Sequence, residues 1–232
     1  MKTAEIAATL IDSMGSDLSV CNAARVSFAK ESEWEAHIIE QPGHCDVIQK
    51  LSEPDAKLIA YLAKHNHFSP FCHAFATFRI KAPIFVARQL VKHQVGLAWN
   101  EESRRYIDEE PEFFFPEVWR GRPEGSIKQG STGLVGNDAA YDSTASLRDV
   151  CEQAVFAYAE MMKDGVAPEQ ARMILPQNTM TNWIWSGSLM AFARVCNLRL
   201  DSHAQQETSD VAALIDMHMR QMFPVSWMEL TK

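Results

Sequence analysis

No run of about 18 consecutive apolar residues occurs anywhere in this 232-residue chain, so nothing in it reads as a membrane-spanning helix. CxxC pairs are missing too. The five cysteines, Cys21, Cys45, Cys72, Cys151 and Cys196, are scattered and odd in number, which suggests neither a disulfide framework nor a zinc knuckle; free thiols are expected. Positive charge is scarce: Lys and Arg total 22 against 30 Asp and Glu, a net charge of -8. That balance argues against broad electrostatic binding to nucleic acid or an anionic membrane surface. The opening "MKTAEIAATLIDSMG" carries an acid inside its only apolar stretch and no small-residue cleavage site, so no secretory signal is expected and a cytoplasmic location is. Internal repeats and low-complexity tracts are absent as well.

What is present is ordinary globular material, 47% hydrophobic and 22% charged, and one domain spanning 1–232 is expected. Leu58, Ile59, Leu62 and Ala63 follow helical spacing behind Pro54, which predicts a helix over 55–64. "HAFATFRI", 73–80, predicts a strand with Thr77 and Arg79 on one face and Phe78 and Ile80 on the other. A helix is expected from Pro83 to about His93, stopped by Gly96. The Gly- and Ser-rich stretch 121–143 predicts a loop or flap. A helix capped by Ser143 or Thr144 should run to Asp164-Gly165, and a short one from Pro168 to before Pro176. Residues 179–199 fit a helix through Trp183, Leu189, Phe192 and Cys196, and Asp201 or Ser202 could cap a last helix reaching Met222. The fold class is α/β in the α+β sense, a modest mixed sheet packed with long helices.

Three clusters carry chemistry. His65, His67, Cys72 and His73 have zinc-ligand side chains, but the spacing suits no standard finger and Pro70 interrupts it, so a turn between helix and strand is the better reading and no metal is expected. Arg88, Lys92, Arg104 and Arg105 lie close together, with Arg172, Arg194 and Arg199 on later helices, in an acidic chain. Guanidinium forks suit phosphate and carboxylate. From spacing alone, an anion site and surface pairing with Glu101, Glu102 and Asp108 stand equal. "NLRLDSHAQQE", 197–207, crowds Arg199, Asp201, His203, Gln205 and Glu207 at a helix boundary.

The stretch "HNHFSPFCHAFATFRIKAPIFVARQLVKHQVGLAWNEESRRY" resembles the signature region of the flavin-dependent thymidylate synthases: a HxSPFEH turn, a strand, "APIFVARQ" leading to a basic helix end, then NExSxRY. "ARVSF" at 24–28, "ARMILP" at 171–176 and "NLRLDSHAQQE" match in the same order. The resemblance covers most of the chain. It implies the thymidylate synthase-complementing-protein fold and reductive methylation of dUMP to dTMP. Methylenetetrahydrofolate would give the carbon, and FAD reduced by NADPH the hydride, in a homotetramer whose active sites are shared between subunits. Those ligands are anionic, as an arginine cluster on an acidic protein would suit.

By position, the resemblance places Gln89, Lys92, Glu101, Glu102, Ser103, Arg104, Arg105, Arg172 and Arg199 on dUMP, with Arg172 reaching it from a neighbouring subunit. Arg199 would polarise the uracil as the catalytic arginine. It places Ser69, Lys92, His93, Gln94, Glu101, Ser188 and Arg194 at FAD-contacting positions, and His67 near flavin and folate. Where the family has Arg-His-Arg, this chain has Lys92-His93-Gln94, followed by one extra residue before Asn100. Cys72 stands for the usual Glu of SPFEH. Ser188-Leu189-Met190 replaces an Asn-x-Arg, and Arg194, where an Asn is usual, is the candidate to restore the lost charge. Two rival readings remain: a nucleotide-modifying enzyme without flavin chemistry, and a nucleotide-binding protein that keeps only the fold.

Overall fold

The structure is a computed structural model; it describes residues 1–232 apart from 42, 43, 108 and 124–129, with the backbone alone described for 38–41 and 44–46. In chain order the elements are β1 (Lys2–Thr3), β2 (Ala7–Met14), α1 (Asp17–Arg25), the hairpin β3 (Glu35–Gln41) and β4 (His44–Lys50), α2 (Glu53–Lys64), β5 (Phe75–Pro83) and α3 (Ile84–Leu90). Then follow β6 (Leu97–Glu101), β7 (Glu112–Phe113), β8 (Arg120–Gly121), β9 (Thr132–Leu134), α4 (Asn137–Lys163), α5 (Pro168–Ala171), β10 (Met180–Ser188), α6 (Leu189–Arg199), α7 (Gln206–Met222) and α8 (Pro224–Leu230). The main sheet has the order β2-β5-β10-β6 and is antiparallel throughout, whereas β1 and β7 pair in parallel.

Strand β5 follows its alternation. Ala76, Phe78, Ile80 and Ala82 are buried, while Arg79 is exposed and Thr77 and Lys81 are half-buried. Its partner β10 corrects the sequence reading: 180–188 is strand, and the helix expected over 179–199 begins only at Leu189. The physical reason is the period. Trp183 and Trp185 are two apart and both buried, with Asn182, Ile184 and Ser186 on the opposite face, and β-branched and aromatic residues favour a paired strand. Pairing with β5 in continuous register from Met180↔Pro83 to Ser188↔Phe75 decides it. On the inner face Phe192 of α6 meets Phe78 and Trp185 edge-on, at ring-centroid distances of 5.3 and 5.4 Å.

Other boundaries moved for local reasons. α2 begins at Glu53 with Ser52 as its cap. The strand expected from His73 starts at Phe75, because Ser69–Cys72 forms a 3-10 turn. α4 starts at Asn137 rather than at a Ser143 or Thr144 cap; those hydroxyls donate to the Ala139 and Ala140 carbonyls inside the helix, at 2.7 and 2.9 Å. Its end at Asp164, with Gly165 at φ +82°, is as expected. Of the flap expected at 121–143, residues 124–129 lie outside the described residues, while β9 and the first turns of α4 occupy much of the rest. Asp201 does not cap α7: its carboxylate accepts from the His203 backbone N–H, closing its own turn, and α7 starts at Gln206.

Two buried carboxylates tie the helices together. Asp55 of α2 accepts from Arg25 Nε at 2.9 Å, Ser32 Oγ at 2.8 Å and Ser52 Oγ at 2.7 Å. Burial alone would raise its pKa, but these bonds and the Arg25 charge hold it below the usual carboxylate range. Asp17 of α1 accepts from the backbone N–H groups of Val225 and Ser226 at 2.9 and 2.8 Å, capping α8. Cys21 is buried between them, and its burial pushes the thiol up to about 12.

The edge strand β6 follows the exit from α3. Gly96 has φ +77°, a left-handed turn that glycine adopts readily, and its carbonyl accepts from Ser188 N–H at 3.2 Å. Gly187 lies against this crossing. A Cβ there would fall 2.8 Å from the Gly96 oxygen and 2.4 Å from Leu97 Cδ2. Gly187→Ala is therefore expected to destabilise the fold by about 1–3 kcal/mol through backbone displacement; urea unfolding compared with wild type checks it, and an unchanged midpoint would contradict the close approach.

Candidate functional site

The turn after α3 and the end of α6 meet. Arg199 Nε donates to His93 Nε2 at 3.0 Å, and Arg199 Nη2 donates to the Gln89 backbone carbonyl at 3.4 Å. Both partners are neutral. Among the described residues no carboxylate pairs with Arg199, so its charge is uncompensated in a half-buried position, and burial draws its pKa down from the ordinary value. Gln89 and Arg199 line a cavity of about 630 Å³, with Asp201, His203, Ala204 and Gln205 on its other walls. Asp201 is engaged: His203 N–H and Nδ1 lie 2.8 and 2.9 Å from its Oδ1, and they hold its carboxyl below the usual range. An uncompensated guanidinium beside a cavity is a site for an anion or for an oxygen that gains negative charge.

His93 acts as acceptor to Arg199, so its own proton sits on Nδ1. Burial lowers its pKa first, and the charges of Arg199 and Arg194 lower it further. Lys92 and Gln94 flank it and are exposed, as is Arg194 on α6; Lys92 and Arg194 have no carboxylate partner among the described residues. Ser188 is buried and its hydroxyl accepts from Ala191 N–H at 3.2 Å, capping α6.

The remaining residues singled out in the sequence lie elsewhere on the chain. Glu101 and Glu102 stand at the β6 edge beside β10: Thr181 Oγ1 donates to Glu101 at 2.9 Å, and Asn182 Nδ2 donates to Glu102 at 2.7 Å. Asn100, Glu101 and Glu102 line a separate cavity of about 420 Å³ with Arg79 and Asn182. Ser103 Oγ accepts from the Arg105 backbone N–H at 3.4 Å. Arg104 donates to the Glu109 carbonyl at 3.0 Å and lies over the Tyr158 ring. Arg105 and Arg172, 67 positions apart in numbering, converge on Glu169: Arg105 Nε donates to its carboxylate at 2.8 Å and Arg172 Nε to its carbonyl at 3.3 Å. His67 and Ser69 line a third cavity, about 750 Å³, with Arg25, Phe28, Tyr61 and Phe68. One chain thus joins Gln89, His93 and Arg199, and separately Arg105 and Arg172. The pairing expected with Asp108 lies outside the described residues.

The sequence reading passed over Arg120 and Thr208. Arg120 Nη2 donates to both oxygens of Glu207, at 2.6 and 2.8 Å, and Thr208 Oγ1 donates to Gln89 Oε1 at 3.3 Å. A signal was available. Thr208, Val211, Ala212, Ile215 and Met219 mark the buried stripe of α7, and Glu207 adjoins it, so a buried carboxylate needing a cation was legible.

A histidine whose folded pKa lies below its unfolded value binds fewer protons when folded. The stability it contributes is full above roughly pH 6.5 and is lost as pH falls through that value towards the folded pKa. Between about pH 7.5 and about pH 5.5, the melting temperature of wild type should therefore drop more steeply than that of His93→Gln. Equal slopes would mean that His93 does not titrate as its surroundings require.

The family model described as thymidylate synthase complementing protein matches residues 9–225. A flavin-dependent thymidylate synthase of Kosmotoga olearia is 35% identical, over 94% of this chain and 86% of its own length. One from Thermus thermophilus is 36% identical, over 94% and 73%. Among solved structures, the UMP/dUMP methylase PolB of Streptomyces cacaoi, bound with 5-Br UMP, superposes with a TM-score of 0.83 at 28% identity, covering 98% of this chain and 94% of that one. The motifs, the helix-and-strand architecture and the arginine-lined cavity belong together: the chain is a member of the thymidylate synthase complementing protein family, alongside the flavin-dependent thymidylate synthases.

Proposed function

We propose that this protein converts dUMP to dTMP by reductive methylation, with methylenetetrahydrofolate as carbon donor and FAD, recharged by NADPH, as hydride source. The observation that carries this reading is the Arg199 guanidinium, half-buried at the wall of the cavity and bonded, among the described residues, only to neutral acceptors. A uracil carbonyl oxygen that gains negative charge during attack at the ring is the partner such a group stabilises, because its charge is already oriented and poorly screened. Gln89 on the same wall can hydrogen-bond the nucleotide. The forks of Arg104 and Arg105, with Ser103, suit its phosphate and sugar.

The donor set fits a flavin dinucleotide. Lys92 and Arg194 are exposed cations without carboxylate partners among the described residues, suited to a diphosphate, while His93, Gln94 and the hydroxyl of Ser69 offer further polar contacts. When bound, the flavin supplies the hydride. Ser188 would contribute through the α6 end that it caps. His67, beside Tyr61 at the third cavity, offers a ring face or edge to planar rings such as flavin and folate. Glu101 and Glu102 would meet nucleotide or flavin at the β6 edge. Since the Arg199 cavity, the β6 edge and the Arg172 turn are separate within one chain, a homotetramer that sets them side by side across subunits accounts for all three.

The purified protein is expected to be yellow and to form dTMP from dUMP, NADPH and methylenetetrahydrofolate. Arg199→Ala should slow that reaction by about 100-fold or more, read by product formation at saturating dUMP. A colourless protein that stays inactive after FAD is added would overturn the proposal.

A further inference from the structure

Glu207 is 5% exposed and held by Arg120 through both carboxylate oxygens. Burial by itself would raise its pKa, but the bonds from Arg120 and Gln205 lower it, so it stays ionised. An ionised carboxylate can only accept hydrogen bonds. Gln205 must therefore turn its NH2 group to Glu207, and its Nε2 lies 2.9 Å from Glu207 Oε2. The other end of that amide, the oxygen, then faces Gln89 and can only accept. Gln89 must in turn offer its own NH2 group, which donates to Gln205 Oε1, while its oxygen accepts from Thr208 Oγ1.

A side-chain amide has almost the same shape when its nitrogen and oxygen are exchanged, so shape alone cannot choose between the two orientations. Here one buried charge chooses for two amides in series. One N–H of Gln89 goes to Gln205, and the second is left for the cavity that Gln89 shares with Arg199. Arg120 reaches Glu207 from β8, and its Nε donates to Ser131 Oγ at 3.0 Å, beside β9. The chain therefore couples the β8-β9 segment to the cavity wall.

We propose that Arg120 and Glu207 are positioning residues which, through Gln205, hold the Gln89 amide with an N–H turned towards the nucleotide. This rests on the reading of the cavity as a dUMP site. Uracil carbonyl, sugar and phosphate oxygens all accept hydrogen bonds, so the fixed orientation matches them, and an inverted amide would set oxygen against oxygen. Replacing Glu207 by glutamine removes the choice: the new amide can donate or accept, and both orientations become available along the chain.

The test is a double-mutant cycle on the full chain, with the dUMP dissociation constant read by calorimetry and the melting temperature recorded for each protein. Glu207→Gln and Gln205→Ala should each weaken dUMP binding by about five- to tenfold. The double variant should bind no more weakly than the poorer single one, because both changes break the same relay. Affinities that multiply in the double variant, or an unchanged affinity in either single variant, would overturn the assignment. If Glu207→Gln does not fold, Arg120→Gln replaces it, removing the positive charge that keeps Glu207 ionised, and the same non-additivity with Gln205→Ala is required. A folded wild-type protein that does not bind dUMP sinks the nucleotide reading of the cavity itself, and the assignment falls with it.

Discussion

The continuous antiparallel pairing of β5 with β10 is the constraint on which the rest of the molecule depends. β5 passes directly into α3 at Pro83, and β10 passes directly into α6 at Ser188. Locking the two strands in register therefore locks the starts of the two helices that carry Gln89 and Arg199. A slip of one residue would turn Trp183 and Trp185 out of the core and Asn182 and Ile184 into it, a change the apolar layer against Phe192 does not tolerate. The site is held by a β-ladder before any of its own hydrogen bonds form.

How much of this was legible depended on which signal each segment carried. Strand β5 was readable because Phe78 and Ile80 alternate with Thr77 and Arg79 over several residues. β10 was not, since Trp183, Leu189, Phe192 and Cys196 also fit a helical stripe; the alternation that mattered acquires meaning only once β5 lies beside it. Strand β6 was hidden in the same way, because its ladder is supplied by β10. The helix end marked by Asp164-Gly165 was found, as glycine geometry is local, whereas the helix expected to run to about His93 with Gly96 as its stop ends at Leu90, and Gly96 forms a separate turn ahead of β6. Ends set by side chains with more than one use, Asp201 and Ser143 among them, were misplaced. The arginines of the site were visible as a cluster, whereas Arg120 stood alone in its segment and showed its role only against a buried glutamate 87 positions away.

The chemistry of the site turns on what does not neutralise its charges. Arg25 is spent on Asp55, so its charge is already balanced within the chain. Arg199 has a histidine and a carbonyl instead. Neutral acceptors orient a guanidinium without cancelling its field, which leaves the favourable interaction for an incoming group. Lys92 and Arg194 extend the same pattern on an otherwise acidic protein.

The bonds from Val225 and Ser226 to Asp17 join residues more than 200 positions apart. Contacts of such high sequence separation carry a loop-closure cost and go with slower folding. During synthesis, α1 stays without this partner until α8 has been made. Asp17 thus ties the early helix α1, with Val20 and Cys21 in the core, to the late helix α8.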